Sequence, residues 1–268
     1  MNDLAKSPEY DSLITLIQAL ETELSELVKD RDTLIYHVCP KLQTEYILKI
    51  GKLEYAIFEY QCKILRAKRK IEIIQAFLNK EQPFNINEIE KQLDTEYREY
   101  TEKLREKQKE MEKARFAHNN PGRLLFEEEA SELKKLYTLI VKKLHPDINP
   151  DTSEEQHSQF IDAVNAYKNA DLSELKIIYL LLEKTSGAET VSSMDKLEKR
   201  KEALLHEKNY LSGEIQKIKE QFPYNIKDLL LNETKLQENI DELAKLLKDN
   251  QEQYNSIEDR LEEITKPR

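Results

Sequence analysis

The chain has 268 residues, of which 39% are hydrophobic and 35% charged, with 4 Gly, 8 Pro and no Trp. This composition excludes a Gly-rich nucleotide-binding α/β enzyme and a β-barrel: Leu, Ile, Lys and Glu dominate, and these residues lose least on entering a helix. With 42 basic against 52 acidic residues the net charge is −10, so the molecule as a whole does not seek phosphate backbones or anionic lipid.

The sequence predicts an all-α protein. Neither the N-terminal MNDLAKSPEY nor any later stretch offers a signal-peptide core or a membrane-length apolar run, which makes a cytoplasmic, unexported protein the expectation. Cys39 and Cys62 lack a CxxC pairing or a neighbouring ligand set and read as ordinary reduced thiols. No cofactor and no metal is expected.

Proline punctuates the chain, because it forces the preceding residue out of the α region and cannot continue a helix from within. Ser7-Pro8 reads as a helix start. Leu13, Leu16, Leu20, Leu24, Leu27 and Leu34 then form a seam that ends before Pro40. From Tyr46 to Leu78 a second seam carries Ile50, Leu53, Ile57, Tyr60, Ile64, Ala67, Ile71 and Ile74 at alternating spacings of three and four, the a/d rhythm of a coiled coil. After Pro83, with capping-box spacing at Asn87 and Glu90, Ile89, Leu93, Tyr97, Tyr100, Leu104 and Met111 make a third.

Short connections make neighbours antiparallel, so residues 1–118 read as an N-terminal helix plus a long coiled-coil hairpin. The run Lys63, Arg66, Lys68, Arg69 and Lys70 occupies the solvated faces of that hairpin without the aromatic interleaving of a nucleic-acid platform.

The device recurs in residues 187–268. Leu197, Leu204, Leu211, Ile215 and Ile218 lead to Pro223, and Leu229, Leu236, Ile240, Leu243, Leu247, Tyr254, Ile257, Leu261 and Ile264 lead away from it. Pro83-Phe84-Asn85-Ile86 and Pro223-Tyr224-Asn225-Ile226 stand at the two tips and suggest one turn chemistry used twice. Lys201 and Asn250 fall at seam positions, where a polar residue fixes register. The seams leave open whether helices pair within one chain or between two copies in a homodimer.

Between the hairpins, in residues 119–186, the heptad rhythm gives way to shorter amphipathic helices. Leu133, Leu136, Tyr137, Ile140 and Leu144 form one apolar face, while Lys134, Lys135, Lys142 and Lys143 lie mainly off it and make a compact basic surface. Pro146 stops that helix after His145. His145-Pro146-Asp147-Ile148-Asn149-Pro150-Asp151 is a stiff turn, and Thr152 with Glu155 or Ser153 with Gln156 caps the next helix, whose apolar face is Phe160, Ala163, Val164 and Tyr167.

The segment LKKLYTLIVKKLHPDINPD followed by QFIDAVNAYKNA resembles the J-domain of DnaJ-like co-chaperones. The resemblance covers some 50 residues. It rests on the triplet His145, Pro146 and Asp147, on Tyr137 eight residues before the histidine, on the helix lysines, on Asn149 and Pro150, and on Phe160 with Ala166-Tyr167. It implies that His145, Pro146 and Asp147 contact or orient a DnaK-class heat-shock ATPase and stimulate its hydrolysis. Lys134, Lys142 and Lys143 would meet an acidic surface on that partner. The implied protein is no enzyme, and its hairpins would choose a client.

Four departures stand beside the likeness. No counterpart of the family's first helix precedes Leu124, so residues near Lys113 to His118 or a flanking hairpin would complete the core. Thr138 and Leu139 occupy places where the family has basic residues. The apolar helix Leu172, Leu175, Ile178, Tyr179, Leu181 and Leu182 would either close the domain or join the second hairpin. No Gly/Phe-rich linker or CxxCxGxG repeat is present. A coiled-coil scaffold whose J-like segment only packs is the alternative. An enzymatic set of His145, Asp147 and His157 lacks further ligands.

Overall fold

A computed structural model describes residues 8–119, 126–184 and 193–266. Ser7 and Leu124, named above, lie outside these residues. The fold is all-α: α1 Pro8–Thr33, α2 Cys39–Tyr46, α3 Lys52–Asn79, α4 Ile86–Glu96, α5 Arg98–Asn119, α6 Glu127–Leu144, α7 Glu154–Lys168, α8 Leu172–Lys184, α9 Met194–Glu220, α10 Lys227–Leu231 and α11 Glu233–Thr265. No helix among the described residues is long and apolar enough to cross a membrane.

Pro40 does not break the chain as its ring predicts. It sits inside α2, directly after a π-helical turn at Leu34–Val38, whose wider hydrogen bonding gives Cys39 N–H the carbonyl of Leu34. A π turn is one of the few ways in which a helical run absorbs the missing proline donor and the bulk of its ring. The two Pro-x-Asn-Ile tips also differ. Asn85 caps α4 by accepting the N–H of Asn87 at 2.9 Å, so the cap lies two residues before the expected Asn87, whereas Tyr224–Ile226 forms a 3-10 turn after a cis Phe222–Pro223 peptide.

The chain divides into two compact units, residues 1–41 with 121–225 and residues 42–120 with 226–268, a division that cuts across the expected boundaries at 118 and 186. The cause is the choice of partner. In the first unit α9 lies parallel to α1, with ion pairs Glu21–Arg200 at 2.7 Å, Glu23–Lys208 at 2.7 Å and Arg31–Glu214 at 3.8 Å. In the second, α11 lies parallel to α3: Tyr60 meets Tyr254 edge-on at 5.9 Å, and Ile71 and Ile74 share a core with Leu261. Thus the seams of α9 and α11 are spent on parallel partners far away in sequence, rather than on the antiparallel hairpin that the Pro223 turn suggested. A heptad stripe demands a neighbour but does not specify which one or its direction.

The reversal after α3 does bring α4 back antiparallel. Arg66 pairs with Glu90 and with Asp94, Lys70 with Glu90 at 2.6 Å, and Arg69 with Glu96 at 3.1 Å. Arg66, Arg69 and Lys70 of the basic run are therefore paired with carboxylates of α4.

The core of the first unit gathers Leu13, Ile17, Leu20, Leu24 and Val28 of α1, Leu133, Tyr137, Ile140 and Leu144 of α6, Ala163 and Tyr167 of α7, Leu172, Leu175, Ile178 and Leu182 of α8, and Leu197, Leu204 and Leu211 of α9. Helix α8 closes the α6–α7 pair. Within this unit α1 supplies the apolar face that completes the short helices.

Leu204 is 1% exposed while its neighbour Leu205 is 39% exposed, so only one faces the core. Leu204→Ala should cost about 2–5 kcal/mol by the loss of burial and the cavity left behind, and Leu205→Ala should stay within about 0.5 kcal/mol. Urea unfolding of both variants checks this, and a reversed order would refute the assigned face of α9.

Candidate functional site

The site begins with a buried polar cluster where α1 meets α6 and α7. Asp32 is only 3% exposed, and its carboxylate takes the Arg31 guanidinium at 2.9 Å and the Tyr137 hydroxyl at 2.5 Å. The Tyr137 ring stacks on Tyr167, with centroids 4.0 Å apart and planes 7° from parallel, and the Tyr167 hydroxyl shares a 2.8 Å hydrogen bond with Thr33. Burial, together with the Asp32 charge, pushes the Tyr137 phenol far up, so it remains a donor throughout the physiological range. A buried carboxylate is tolerated only with such partners, and these come from two helices.

With α6 and α7 clamped antiparallel, the reversal between them is His145-Pro146-Asp147-Ile148. The His145 N–H closes the last turn of α6 on Val141 O at 2.9 Å, and its carbonyl accepts from Ile148 and Asn149. Asn149 Nδ2 ties back to Lys142 O at 2.9 Å. The capping box of α7 is Ser153 with Gln156, the second of the two expected pairs.

The turn residues divide into two that face inward and two that face out. His145 is 6% exposed and presents its ring edge-on to Phe160 at 5.1 Å, and Ile148 is fully buried. Pro146 is half-buried, and Asp147 keeps 48% of its side chain exposed. Asp147 N–H donates to His145 Nδ1 at 3.2 Å, which leaves that nitrogen unprotonated and places the imidazole proton on Nε2. Burial also pulls the His145 pKa below its ordinary value of 6.5, overriding the pull of Asp147 in the other direction. The 3.6 Å approach of Asp147 Oδ2 to Nδ1 is thus a contact with a neutral ring rather than an ion pair.

The expected basic surface is dispersed around α6. Lys142 Nζ turns toward α1 and donates to Thr22 Oγ1 at 2.7 Å, while Lys143 turns toward α8 and lies 5.5 Å over the Tyr179 ring. Lys134 is exposed. Thr138 bonds back to Lys134 O at 2.9 Å. The three lysines therefore do not share one face, because helical rotation carries Lys142 and Lys143 apart between two different neighbours.

Sequence reasoning missed the contribution of α9. Arg200 donates from Nη2 to Ile148 O at 2.6 Å and to Glu21 Oε1 at 2.7 Å. Burial first, then the Asp147 charge, raises the Glu207 carboxyl above its ordinary range. Glu214 faces Arg31. These three residues stand at a spacing of seven on α9, three beyond Leu197, Leu204 and Leu211, the place where a coiled coil puts charges that read its neighbour. For Asp32 the signal was a carboxylate lying four residues beyond Val28 on the buried stripe of α1.

His157 lies exposed near the start of α7, and among the described residues no three His, Cys, Asp or Glu side chains gather as a metal site. Cys39 and Cys62 are free thiols that burial pushes up. Comparison with known proteins finds no family model, no curated protein and no solved structure that matches the chain.

His37, like His145, is held below 6.5, chiefly by burial. Both rings stay neutral in the fold at a pH where the unfolded chain takes up protons. Stability from these groups is therefore complete above about pH 7.5, declines as pH falls through 6.5, and stops declining only below the folded values, with a slope of at most about 1.4 kcal/mol per pH unit per group. Urea unfolding between pH 7.5 and 5.5 should show this loss, and His145→Gln should flatten part of it. An identical slope in the variant would show that His145 is not held neutral.

Proposed function

We propose that this chain is a J-domain co-chaperone: it stimulates ATP hydrolysis by a DnaK-class heat-shock chaperone and directs that chaperone to a client through its long helices. The observation that carries this reading is the antiparallel α6–α7 pair, braced by the Tyr137–Tyr167 stack, with His145, Pro146 and Asp147 at its reversal and the Asp147 carboxylate half-exposed at the tip. The resemblance implies that arrangement, and its residues serve it here in distinct ways. His145 positions the turn from inside, through Phe160 and the Asp147 N–H. Pro146 limits the freedom of the backbone, and Asp147 offers a charge to the partner. Lys134 is the exposed lysine of the three, and would add steering.

Such a protein makes and breaks no bond itself. Stimulation requires only that the turn bind the hydrolysis-competent state of the ATPase better than its resting state.

Two observations favour the second reading, a helical scaffold in which the J-like segment only packs: the His145 side chain is buried, and Lys142 already hydrogen-bonds α1. Steady-state ATP hydrolysis by a surrogate DnaK-class chaperone separates the two. The wild-type chain should raise the rate several-fold, and His145→Gln and Asp147→Asn, each shown to be folded by circular dichroism, should abolish the rise. A rate unchanged by the wild type, or raised equally by all three, would leave the scaffold reading.

A further inference from the structure

The reversal after α6 is tied to itself through its amides. Ile148 N–H and Asn149 N–H both donate to His145 O, at 3.0 and 2.8 Å, and Asn149 Nδ2 donates to Lys142 O at 2.9 Å. The Ile148 carbonyl turns instead to α9. Arg200 Nη2 donates to it at 2.6 Å and also, at 2.7 Å, to Glu21 Oε1 of α1, which takes Arg200 Nε at 3.2 Å as well. Ile148 is fully buried, and a carbonyl drawn away from water needs a donor. The largely buried Glu21 carboxylate holds the guanidinium in place, so the donor reaches the turn charged and with its direction fixed.

We propose that Arg200 is a positioning residue for the His145–Pro146–Asp147 turn: by holding the Ile148 carbonyl on the inner side it keeps the Asp147 carboxylate on the outer side, where the ATPase meets it. The inference rests on the reading of that turn as an ATPase contact. Arg200 acts through Ile148, and Asp147 stays 48% exposed while the bond is made. Without the guanidinium the Ile148 carbonyl has to reach water, and the backbone rotation that carries it outward moves Asp147, the next residue, with it. The presenting conformer then makes up a smaller fraction of the molecules, and a partner that needs it binds with an apparent affinity lowered by that fraction.

This role is separable from the seating of α9. Leu197, Leu204 and Leu211 anchor that helix in the shared core, and Glu23–Lys208 and Arg31–Glu214 tie it to α1 at other levels. Arg200 also lies outside the resembling segment, so the His-Pro-Asp motif does not call for it. Lys208 supplies a matched control. Like Arg200 it stands on α9 and pairs with a carboxylate of α1 at 2.7 Å, but its partner is Glu23, and its bond is made away from the Ile148 carbonyl.

The test uses the full chain as wild type, Arg200→Ala, Glu21→Gln and Lys208→Ala, each also combined with His145→Gln and each checked for helical content by circular dichroism. Two quantities are read: amide hydrogen exchange over residues 147–149, and stimulation of a surrogate DnaK-class ATPase titrated to saturation. In Arg200→Ala, exchange at the turn should be about tenfold faster, as suits the loss of a hydrogen bond from a charged group. Half-maximal stimulation should need a concentration higher by a similar factor, while the rate at saturation matches wild type, a split that general damage to the fold would not give. Glu21→Gln should move both quantities the same way by a smaller factor, Lys208→Ala should move neither, and His145→Gln should remove the stimulation from every variant. If Arg200→Ala lost its helical signal, Glu21→Gln would be read in its place, and wild-type values there would overturn the role of Arg200. Exchange or half-maximal concentration unchanged in a folded Arg200→Ala, with stimulation still dependent on His145, would overturn that role and leave the co-chaperone reading standing. An equal shift in Lys208→Ala would overturn it too, by showing that only the docking of α9 matters. No stimulation by the wild type would overturn the co-chaperone reading and this inference with it.

Discussion

The buried Asp32 carboxylate constrains everything around the turn. A charge this far from water has to be met by donors of fixed geometry, and here these are the adjacent Arg31 guanidinium and the phenol of Tyr137 on another helix. Removing either donor would leave a carboxylate under-paired in a low-dielectric site, which is why the contact fixes the rotation of α1 against α6 more firmly than apolar packing does. Tyr137 then passes the constraint to α7 by stacking on Tyr167, whose hydroxyl returns to α1 at Thr33. Four side chains thus tie three helices.

Once α6 and α7 are fixed, the turn has little freedom left. Ile148 is drawn into the core and His145 against Phe160, so the residue between Pro146 and Ile148 faces out, and that residue is Asp147. The same packing brings the charged row of α9 to the turn. Arg31 faces Asp32 on one side and Glu214 on the other, and therefore shares the buried cluster with the helix that carries Glu207 and Arg200. The polar core and the engagement of the turn are parts of one network. Through Arg200, α9 reaches the Ile148 carbonyl without belonging to the short helices.

The helical class, the α6 and α7 faces, the Ser153–Gln156 cap and the return of α4 on α3 were legible in the sequence because each depends on residues within a few turns of one another. Direction and partner were not. Parallel pairing of α1 with α9 and of α3 with α11 joins segments separated by well over a hundred residues, and a heptad stripe such as Leu197-Leu204-Leu211 looks the same against any apolar neighbour. Pro40 misled because a π turn upstream absorbed what a regular helix would not. The basic surface of α6 was expected from composition, but its dispersal between Thr22 and Tyr179 depends on neighbours that only the fold supplies. Arg200 left a faint mark, one of a row of charges at heptad spacing, whose meaning required Ile148 to be placed beside it.

The central claim proposed here is that the His145–Pro146–Asp147 turn is a partner-contact site. Amide exchange of the full chain, with and without an ATP-loaded DnaK-class chaperone, tests it most directly. The account predicts that binding slows exchange over residues 145–149. A complex that forms while these residues exchange as they do in the free chain would contradict it.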